Sequence, residues 1–228
     1  MKVNWIKNLS QIKNSNCLFI GNEFLDSFAI KQFEKKNKTW FEKYVKNEKG
    51  LNKIISLQTN IRKYEKEVGF KFSKNQTFFE LSLEQIKLIK KISKIIKRNL
   101  GGILLIDYGF TKNKMFNTLQ GVKKHKKYNF LKDKGKVDIT HLINFSFLKK
   151  IMELNDLKVN GITTQGNFLN KMGIFKRAEI LSKNLSFSKK ADMYFRIKRL
   201  TDKKQMGELF KVIFASSKLV NFKYGFKK

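Results

Sequence analysis

The chain has 228 residues, a formal net charge of +32 and a hydrophobic content of 41%. This length suffices for one large domain able to bury about 70% of its unfolded surface, and we expect residues 1–228 to form a single domain. The single cysteine, Cys17, excludes a disulfide framework and favours a reducing compartment, the cytoplasm. No apolar run approaches the roughly 18 residues of a membrane-spanning helix, and residues 1–11 lack the apolar core of a signal peptide.

Lysine carries almost all of the positive charge, because only five of the 50 basic residues are arginine. Arginine is the residue that reads phosphates and base edges through its planar fork. Biased codon usage acting on surface positions therefore explains this lysine-rich, proline-free composition better than a nucleic-acid site does. A charge of this size still attracts polyanions nonspecifically and in a salt-dependent way.

Hydrophobic periodicity divides the chain into strands and helices. The predicted strands are residues 17–20, 30–34, 38–46, 51–58, 78–81, 103–106, 157–164 and 210–216. The predicted helices are residues 1–12, 83–100, 145–154, 165–172, 175–182 and 192–204. Residues 38–46 and 51–58 have the alternation of an antiparallel ribbon, whereas residues 61–74 are polar and predict a loop or a broken helix. Residues 111–138 are strongly basic and poor in structural signal, which is typical of a functional lid or a disordered loop.

The clearest helix covers residues 83–100, with apolar side chains on one face and lysines on the other. Gly101 follows at the position where a glycine ends many helices. The continuous apolar strand 103–106 then leads into Asp107. This order of helix, glycine, strand and acid is half of a parallel unit and predicts an α/β fold.

The first apolar strand, residues 17–20, has the content of a fully buried strand and stops at Gly21. Three polar or acidic side chains follow it, Asn22, Glu23 and Asp26. Chemistry in an open α/β sheet takes place in the crevice beyond the carboxyl ends of the strands, which makes Glu23 and Asp26 candidate catalytic carboxylates. The alternative is an ordinary turn in which Glu23 is a cap and Asp26 starts a helix.

Asp107 and Tyr108 end the neighbouring strand, where they line the same crevice or form a tight turn before Gly109. Gln165 opens a helix directly after a strand, a position suited to an anion or a backbone group, or to a plain cap. His125 lies among lysines and is either a site residue or a surface residue. No cluster of cysteine and histidine in the sequence indicates a metal site.

Eight short segments, in chain order, resemble the motifs of the MidA-type methyltransferase family. They are residues 22–28 (NEFLDSF, for the family's NEFFDALP), 40–42 (WFE, for W-x-E), 102–109 (GILLIDYG, for a strand ending in IDYG), 118–120 with His125 (TLQ…H), 135–138 (GKVD, for PGEAD), 138–145 (DIT…F, for DLT…DF), 164–169 (TQGNFL, for TQGxFL) and 206–211 (MGELFK, for MGxLFK). Together they extend over most of the chain.

The resemblance implies a class I methyltransferase fold, which is a Rossmann-like sheet with helices, here with an inserted β-ribbon and the long basic loop. It implies S-adenosyl-L-methionine as the cofactor and an arginine side chain of a protein as the methyl acceptor. Mitochondrial members of the family are assembly factors for respiratory complex I. The implied partner is therefore a protein substrate such as a complex I subunit, in mitochondria if the cell is eukaryotic.

The resemblance also implies roles for particular residues. Glu23 and Asp26 are the carboxylates expected to pair the guanidinium of the substrate, because its planar fork accepts bidentate pairing. The remaining substrate-binding residues are expected to be Asn22, Asp107, Tyr108, Gln120, His125 and Gln165.

The glycine-rich turn with which the family holds its cofactor has no counterpart in this sequence, since its 13 glycines include no G-x-G pair. We therefore expect a methyltransferase sheet without its amino-terminal, glycine-rich half, in which the strand 17–20 becomes a sheet edge. Two other functions stay open, a non-catalytic interaction module or half-protein and a lysine-rich nucleic-acid-binding protein. Binding that falls steeply with salt would single out the last.

Overall fold

The structure is a computed structural model that describes residues 3–12, 16–222 and 224–226. Within these residues the strands are β1 (Leu18–Asn22), β2 (Lys31–Lys36), β3 (Thr39–Glu48), β4 (Leu51–Gln58), β5 (Phe78–Leu81), β6 (Gly102–Phe110), β7 (Gln120–Lys123), β8 (Lys126–Tyr128), β9 (Asp138–Thr140), β10 (Ile143–Asn144), β11 (Lys158–Thr164) and β12 (Phe210–Ser216). The helices are α1 (Ile61–Val68), α2 (Leu83–Asn99), α3 (Phe145–Leu154), α4 (Gln165–Lys171), α5 (Ile174–Ser182), α6 (Phe187–Thr201) and α7 (Met206–Leu209). None of these helices is both long enough and apolar enough to cross a bilayer.

The central sheet has the strand order β1-β6-β12-β11, and β10 pairs with the far end of β6. β1 and β10 run parallel to β6, whereas β12 is antiparallel to both β6 and β11. The predicted α/β class is therefore confirmed, and β1 and β6, which were predicted to be neighbouring strands, pair in parallel. The sheet is mixed, because β12 returns directly beside β6 in the opposite direction.

β1 lies at an edge of this sheet, as expected, but it is not fully buried. Leu18 is 58% exposed and Ile20 is 67% exposed, while Phe19 between them is half-buried. No strand among the described residues pairs with the outer edge of β1. The prediction of a fully buried strand was wrong because an apolar run does not reveal whether a sheet continues on both of its sides.

α2 agrees with the predicted helix to within one residue but ends differently. Leu100, not a glycine, takes the left-handed C-cap conformation, with φ 54°. Gly101 is needed for another reason, since a Cβ there would lie 2.1 Å from the carbonyl oxygen of Cys17. The glycine therefore allows the end of α2 to pass close to the chain that enters β1.

Four other predicted segments differ from the structure. Of the predicted helix 1–12, only Leu9–Gln11 forms a 3₁₀ turn, and residues 1 and 2 lie outside the described residues. Residues 61–74 begin with α1, whose N-terminus is capped by the Asn60 side chain. The basic stretch 111–138 contains β7 and β8 and the start of β9, which pair as a small antiparallel sheet. The last long helix, α6, begins five residues before the predicted start at residue 192.

The predicted antiparallel ribbon is confirmed in a second sheet, with strand order β4-β3-β2-β5. Its buried centre includes Glu42, whose side chain is 3% exposed. Glu42 accepts hydrogen bonds from the Lys31 ammonium and from the Tyr64 hydroxyl, the latter at 2.6 Å. One continuous hydrophobic cluster joins this sheet to α2, α3 and the central sheet.

Candidate active site

A loop with two carboxylates follows β1 at the end of the central sheet. We call residues 23–26 the carboxylate loop. The amide of Glu23 extends the pairing of β1 by donating to the Ile106 carbonyl at 3.0 Å. Glu23 itself has φ 46°, a left-handed conformation that costs free energy for a residue with a Cβ. The chain therefore turns sharply at Glu23 and leaves the plane of the sheet.

The Asp107 carboxylate holds the amide side of this loop. Its Oδ2 accepts hydrogen bonds from the amides of Phe24 at 3.2 Å, Leu25 at 2.8 Å and Asp26 at 3.3 Å. Asp107 is 1% exposed, and its Oδ1 accepts from the Tyr108 amide at 2.9 Å. One buried carboxylate on β6 thus fixes three successive peptide groups next to β1.

Two further side chains hold the carbonyl side of the loop. The Gln85 amide, from the first turn of α2, donates to the Leu25 carbonyl and lies 3.2 Å from Nε2 of His141. The His141 ring in turn hydrogen-bonds to the backbone of Asp26, and because this contact raises the pKa of the ring, its acceptor is the Asp26 carbonyl. Both amide and carbonyl groups of the loop are therefore held by side chains from other elements.

The site collects negative charge. Burial, and secondarily the neighbouring Asp26, raises the pKa of Asp107 to about 6. Burial, and secondarily Glu23, raises the pKa of Asp26 as well. The Tyr108 hydroxyl donates to Oε2 of Glu23 at 3.2 Å, and burial together with Glu23 raises the pKa of Tyr108 to about 12.

No lysine or arginine among the described residues lies within salt-bridge distance of Glu23, Asp26 or Asp107. This is unusual in a chain with 50 basic and 18 acidic residues. A group of carboxylates without a cationic partner favours a ligand that brings its own positive charge.

Asp107 and Tyr108 were expected at a strand end. β6 instead continues to Phe110, so both lie within the strand and the tight turn before Gly109 does not exist. No helix starts at Asp26 either. The structure thus brings together four of the predicted site residues, Glu23, Asp26, Asp107 and Tyr108, while their roles stay predictions.

Asn22 is the last residue of β1 and is exposed beside the loop. Gln165 begins α4 directly after β11, as predicted. It is 5% exposed, however, and its side-chain amide donates to the Leu200 carbonyl at 3.0 Å. Gln165 therefore ties α4 to α6 in this structure, and a role in substrate binding stays a prediction.

Gln120 and His125 belong to the small sheet of the basic stretch. The Gln120 amide donates to the Thr140 hydroxyl at 3.3 Å. His125 is exposed in the tight turn between β7 and β8, with φ 59°. No described contact joins either side chain to the carboxylate loop, so their binding roles also stay predictions.

Sequence reasoning missed the other histidine, His141, and the helix residue Gln85. His141 is 5% exposed, and burial lowers its pKa to about 4. The one available signal was its place immediately before the apolar residues 142 and 143. Gln85 gave none, since an amide near the start of a helix is common.

The described residues contain no group of three or more histidine, cysteine or acidic side chains able to hold a metal. None of their glycines forms a G-x-G turn between a strand and a helix. What the described residues form here is an acidic cluster of Glu23, Asp26 and Asp107.

Two solved structures share this fold. One is the native crystal structure of an uncharacterized protein from Burkholderia thailandensis, with a TM-score of 0.78 and 21% identity over 96% of this chain and 60% of that one. The other is a Burkholderia thailandensis protein bound to S-adenosyl-homocysteine, with a TM-score of 0.77 and 21% identity over 97% of this chain and 58% of that one. The chain is thus an α/β protein with the architecture of these two proteins.

A family profile described as "Putative S-adenosyl-L-methionine-dependent methyltransferase" matches residues 1–163. The chain belongs to this family. Similar proteins include protein arginine methyltransferase NDUFAF7, mitochondrial, from Danio rerio, which is 25% identical over 92% of this chain and 50% of the relative. The Caenorhabditis elegans homolog is 27% identical over 78% of this chain and 42% of the relative. The chain spans about half the length of the curated relatives it matches.

Proposed function

We propose that these residues form the substrate side of an S-adenosyl-L-methionine-dependent methyltransferase that modifies arginine in a protein. The observation that carries the proposal is the carboxylate pair of Glu23 and Asp26, held on a doubly anchored loop with no basic partner among the described residues. A guanidinium supplies the missing positive charge and matches carboxylates through its planar fork.

Glu23 and Asp26 differ in exposure, which suggests different tasks. Glu23 is exposed and is oriented by the Tyr108 hydroxyl, so its carboxylate meets an incoming guanidinium first. Asp26 is 7% exposed, and burial, with a smaller contribution from Glu23, raises its pKa. Pairing with a guanidinium would stabilise both carboxylates in their ionised form.

Methyl transfer would form a nitrogen–carbon bond as a sulfur–carbon bond breaks, with S-adenosyl-homocysteine as the leaving group, and the nitrogen would then give a proton to water. S-adenosyl-L-methionine supplies the methyl group when it is bound. Two carboxylates that hold two guanidinium nitrogens concentrate the positive charge there and allow a lone pair to develop on the third nitrogen. Positioning of this kind contributes several kcal/mol, about 7–11 kcal/mol in the best intramolecular cases.

The relatives are protein arginine methyltransferases by name, which supports the arginine part of the proposal, and their mitochondrial designation supports that location for a eukaryotic chain. The family resemblance extends the proposal to a respiratory complex I subunit as the protein substrate. The relatives are about twice as long, so the activity is proposed for the whole polypeptide in which these residues occur.

The test is label transfer from radioactive S-adenosyl-L-methionine to protein arginine, with that whole polypeptide as enzyme. Glu23→Gln keeps the shape of the side chain and removes its charge, so we expect transfer to fall about 100-fold, as for other groups that act at the transition state. Glu179→Gln, an exposed carboxylate of α5, is the matched control and should transfer normally. Normal transfer by Glu23→Gln, or label found on lysine alone, would remove the assigned role.

A further inference from the structure

His141 and Gln85 hold the carboxylate loop from the side opposite to Asp107. The nitrogen of the Gln85 amide can only donate, so Nε2 of His141, 3.2 Å away, must accept. The ring proton is then on Nδ1, which leaves that nitrogen to donate to the Asp26 carbonyl. These contacts therefore favour the Nδ1–H tautomer of His141.

We propose that His141, as the neutral Nδ1–H tautomer, and Gln85 are positioning residues that set where the Glu23 and Asp26 carboxylates point. Neither side chain need touch the substrate, and the inference rests on the proposed function only for the identity of that substrate. Hydrogen bonds to the Leu25 and Asp26 carbonyls fix the two peptide planes that flank the Asp26 side chain. Together with the bonds from Asp107, they leave the loop backbone little freedom to rotate.

The surroundings of His141 keep it neutral and in place. It is 5% exposed, and burial holds its pKa near 4, so the ring does not charge at neutral pH. The backbone just after it is fixed too, because the Leu142 amide donates to the Thr118 hydroxyl at 2.9 Å. The Thr118 amide donates to Glu80 on β5 at 2.9 Å, and the Thr118 hydroxyl donates to the other oxygen of the same carboxylate.

These bonds connect the second sheet to the active site. Glu80 fixes Thr118, Thr118 fixes the chain at Leu142, and the neighbouring His141 fixes the Asp26 carbonyl. The threonine belongs to one of the segments that resemble the methyltransferase family, for which the site itself offers no direct role. Through this chain of contacts, Thr118 helps to position the carboxylate loop without touching it.

Two substitutions of His141 separate its two nitrogens. In Asn the side-chain amide nitrogen takes the place of Nδ1, so His141→Asn keeps a donor for the Asp26 carbonyl. In Gln the polar atoms take the place of Nε2, so His141→Gln loses that donor although it keeps more of the volume of the ring than His141→Asn does. Loss of packing alone would therefore harm His141→Asn more, and a larger effect in His141→Gln reports the hydrogen bond.

The first measurement needs no substrate. The chain has two histidines, so the imidazole nitrogen spectrum of the labelled protein contains two side chains, and His125→Asn assigns them. We expect His141 to show a protonated Nδ1 and an unprotonated Nε2 at pH 7. Amide exchange at Phe24, Leu25 and Asp26 should be about tenfold faster in His141→Gln than in His141→Asn, the factor that one lost hydrogen bond supplies. A proton on Nε2, or equal exchange in the two variants, would overturn the inference.

The second measurement uses N-acetyl-arginine amide as a probe, titrated into the same proteins while the loop amides are observed. We expect binding by His141→Gln to be about tenfold weaker than by the wild type and binding by His141→Asn to stay within about threefold. Equal losses in both variants would mean that the ring only fills space. If the wild type itself ignores the probe, the proposed arginine specificity is wrong, and the exchange rates still decide the role of His141.

Discussion

Asp107 provides a pH-dependent test of the site, because its carboxyl is buried among acidic neighbours. Its pKa is about 6 in the folded protein against an ordinary value of 3.8. The folded protein therefore binds this proton more tightly than the unfolded chain does. The stability gained is complete below about pH 4 and is lost as the pH rises from about 4 to about 6. At 1.36 kcal/mol per pKa unit, a shift of about two units corresponds to about 3 kcal/mol.

The substitution that isolates this effect is Asp107→Asn, which keeps an acceptor oxygen for the loop amides and cannot ionise. We would measure the free energy of unfolding in urea for the wild type and the variant at intervals from pH 4 to pH 8. Carboxyl groups that do not interact with Asp107 contribute alike to both proteins and cancel in the difference. We expect the wild type to lose about 3 kcal/mol relative to the variant between pH 4 and pH 7.

The same substitution on the exposed Asp138 of β9 is the matched control for replacing an acid by an amide. If the wild type and Asp107→Asn follow parallel curves across this range, the buried carboxyl has no raised pKa. The account of the site as a cluster of uncompensated carboxylates would then be wrong.

Four further predictions concern stability, association and the cofactor. Gly109→Ala should lower the free energy of unfolding, measured in urea, by about 1–3 kcal/mol. The reason is that a Cβ there would lie 2.3 Å from the Ile143 carbonyl oxygen. An unchanged midpoint of urea unfolding would contradict the close approach of β6 and β10. Lys31→Met removes the ammonium that pairs with the buried Glu42, and since Lys31 is 40% exposed we expect a loss of about 1–2 kcal/mol, less than for a fully buried pair. Light scattering should show the chain associating through its apolar sheet edge as salt rises from about 0.01 M to about 0.15 M, and Ile20→Lys should suppress this; a wild type that stays monomeric would refute the role of the edge. In calorimetry, the 228-residue chain should show no saturable micromolar binding of S-adenosyl-L-methionine, and tight one-to-one binding would mean that a cofactor grip has been overlooked.

The parts of the fold that the sequence predicted well are those that local pattern determines. α2 has a long amphipathic period, and β6 and β12 are continuous apolar runs, so each was located to within a few residues. The ribbon of β3 and β4 was recognisable from its alternation. In these elements the residues that form the structure are near one another in the chain.

The errors arose where a distant part of the chain decides the outcome. The exposure of Leu18 and Ile20 depends on which strands lie beside β1, and no property of residues 17–20 encodes that. Leu100 adopts the left-handed conformation at the end of α2 although a glycine follows it. Gly101 is needed for a different reason, which is that the chain there passes close to Cys17.

Only part of the candidate site could be predicted, because some of its contacts join residues that are far apart in the sequence. Strand ends and family motifs pointed to Glu23, Asp26, Asp107 and Tyr108. His141 was overlooked because its partners are Gln85 and a peptide carbonyl of the carboxylate loop, each far away in sequence. A buried histidine is visible only once the elements around it are assembled.

The carboxylate loop also has a consequence for how the protein folds. Its amides bind a carboxylate 83 residues away, its carbonyl binds a glutamine 60 residues away, and that glutamine contacts a histidine another 56 residues on. Closing such long segments costs chain entropy before any contact is gained, and folds rich in distant contacts form slowly. During synthesis, Glu23 and Asp26 leave the ribosome before His141 and cannot be fixed in place until it has followed them. The loop that forms the acidic site is thus completed only after the intervening residues 27–140 have been made.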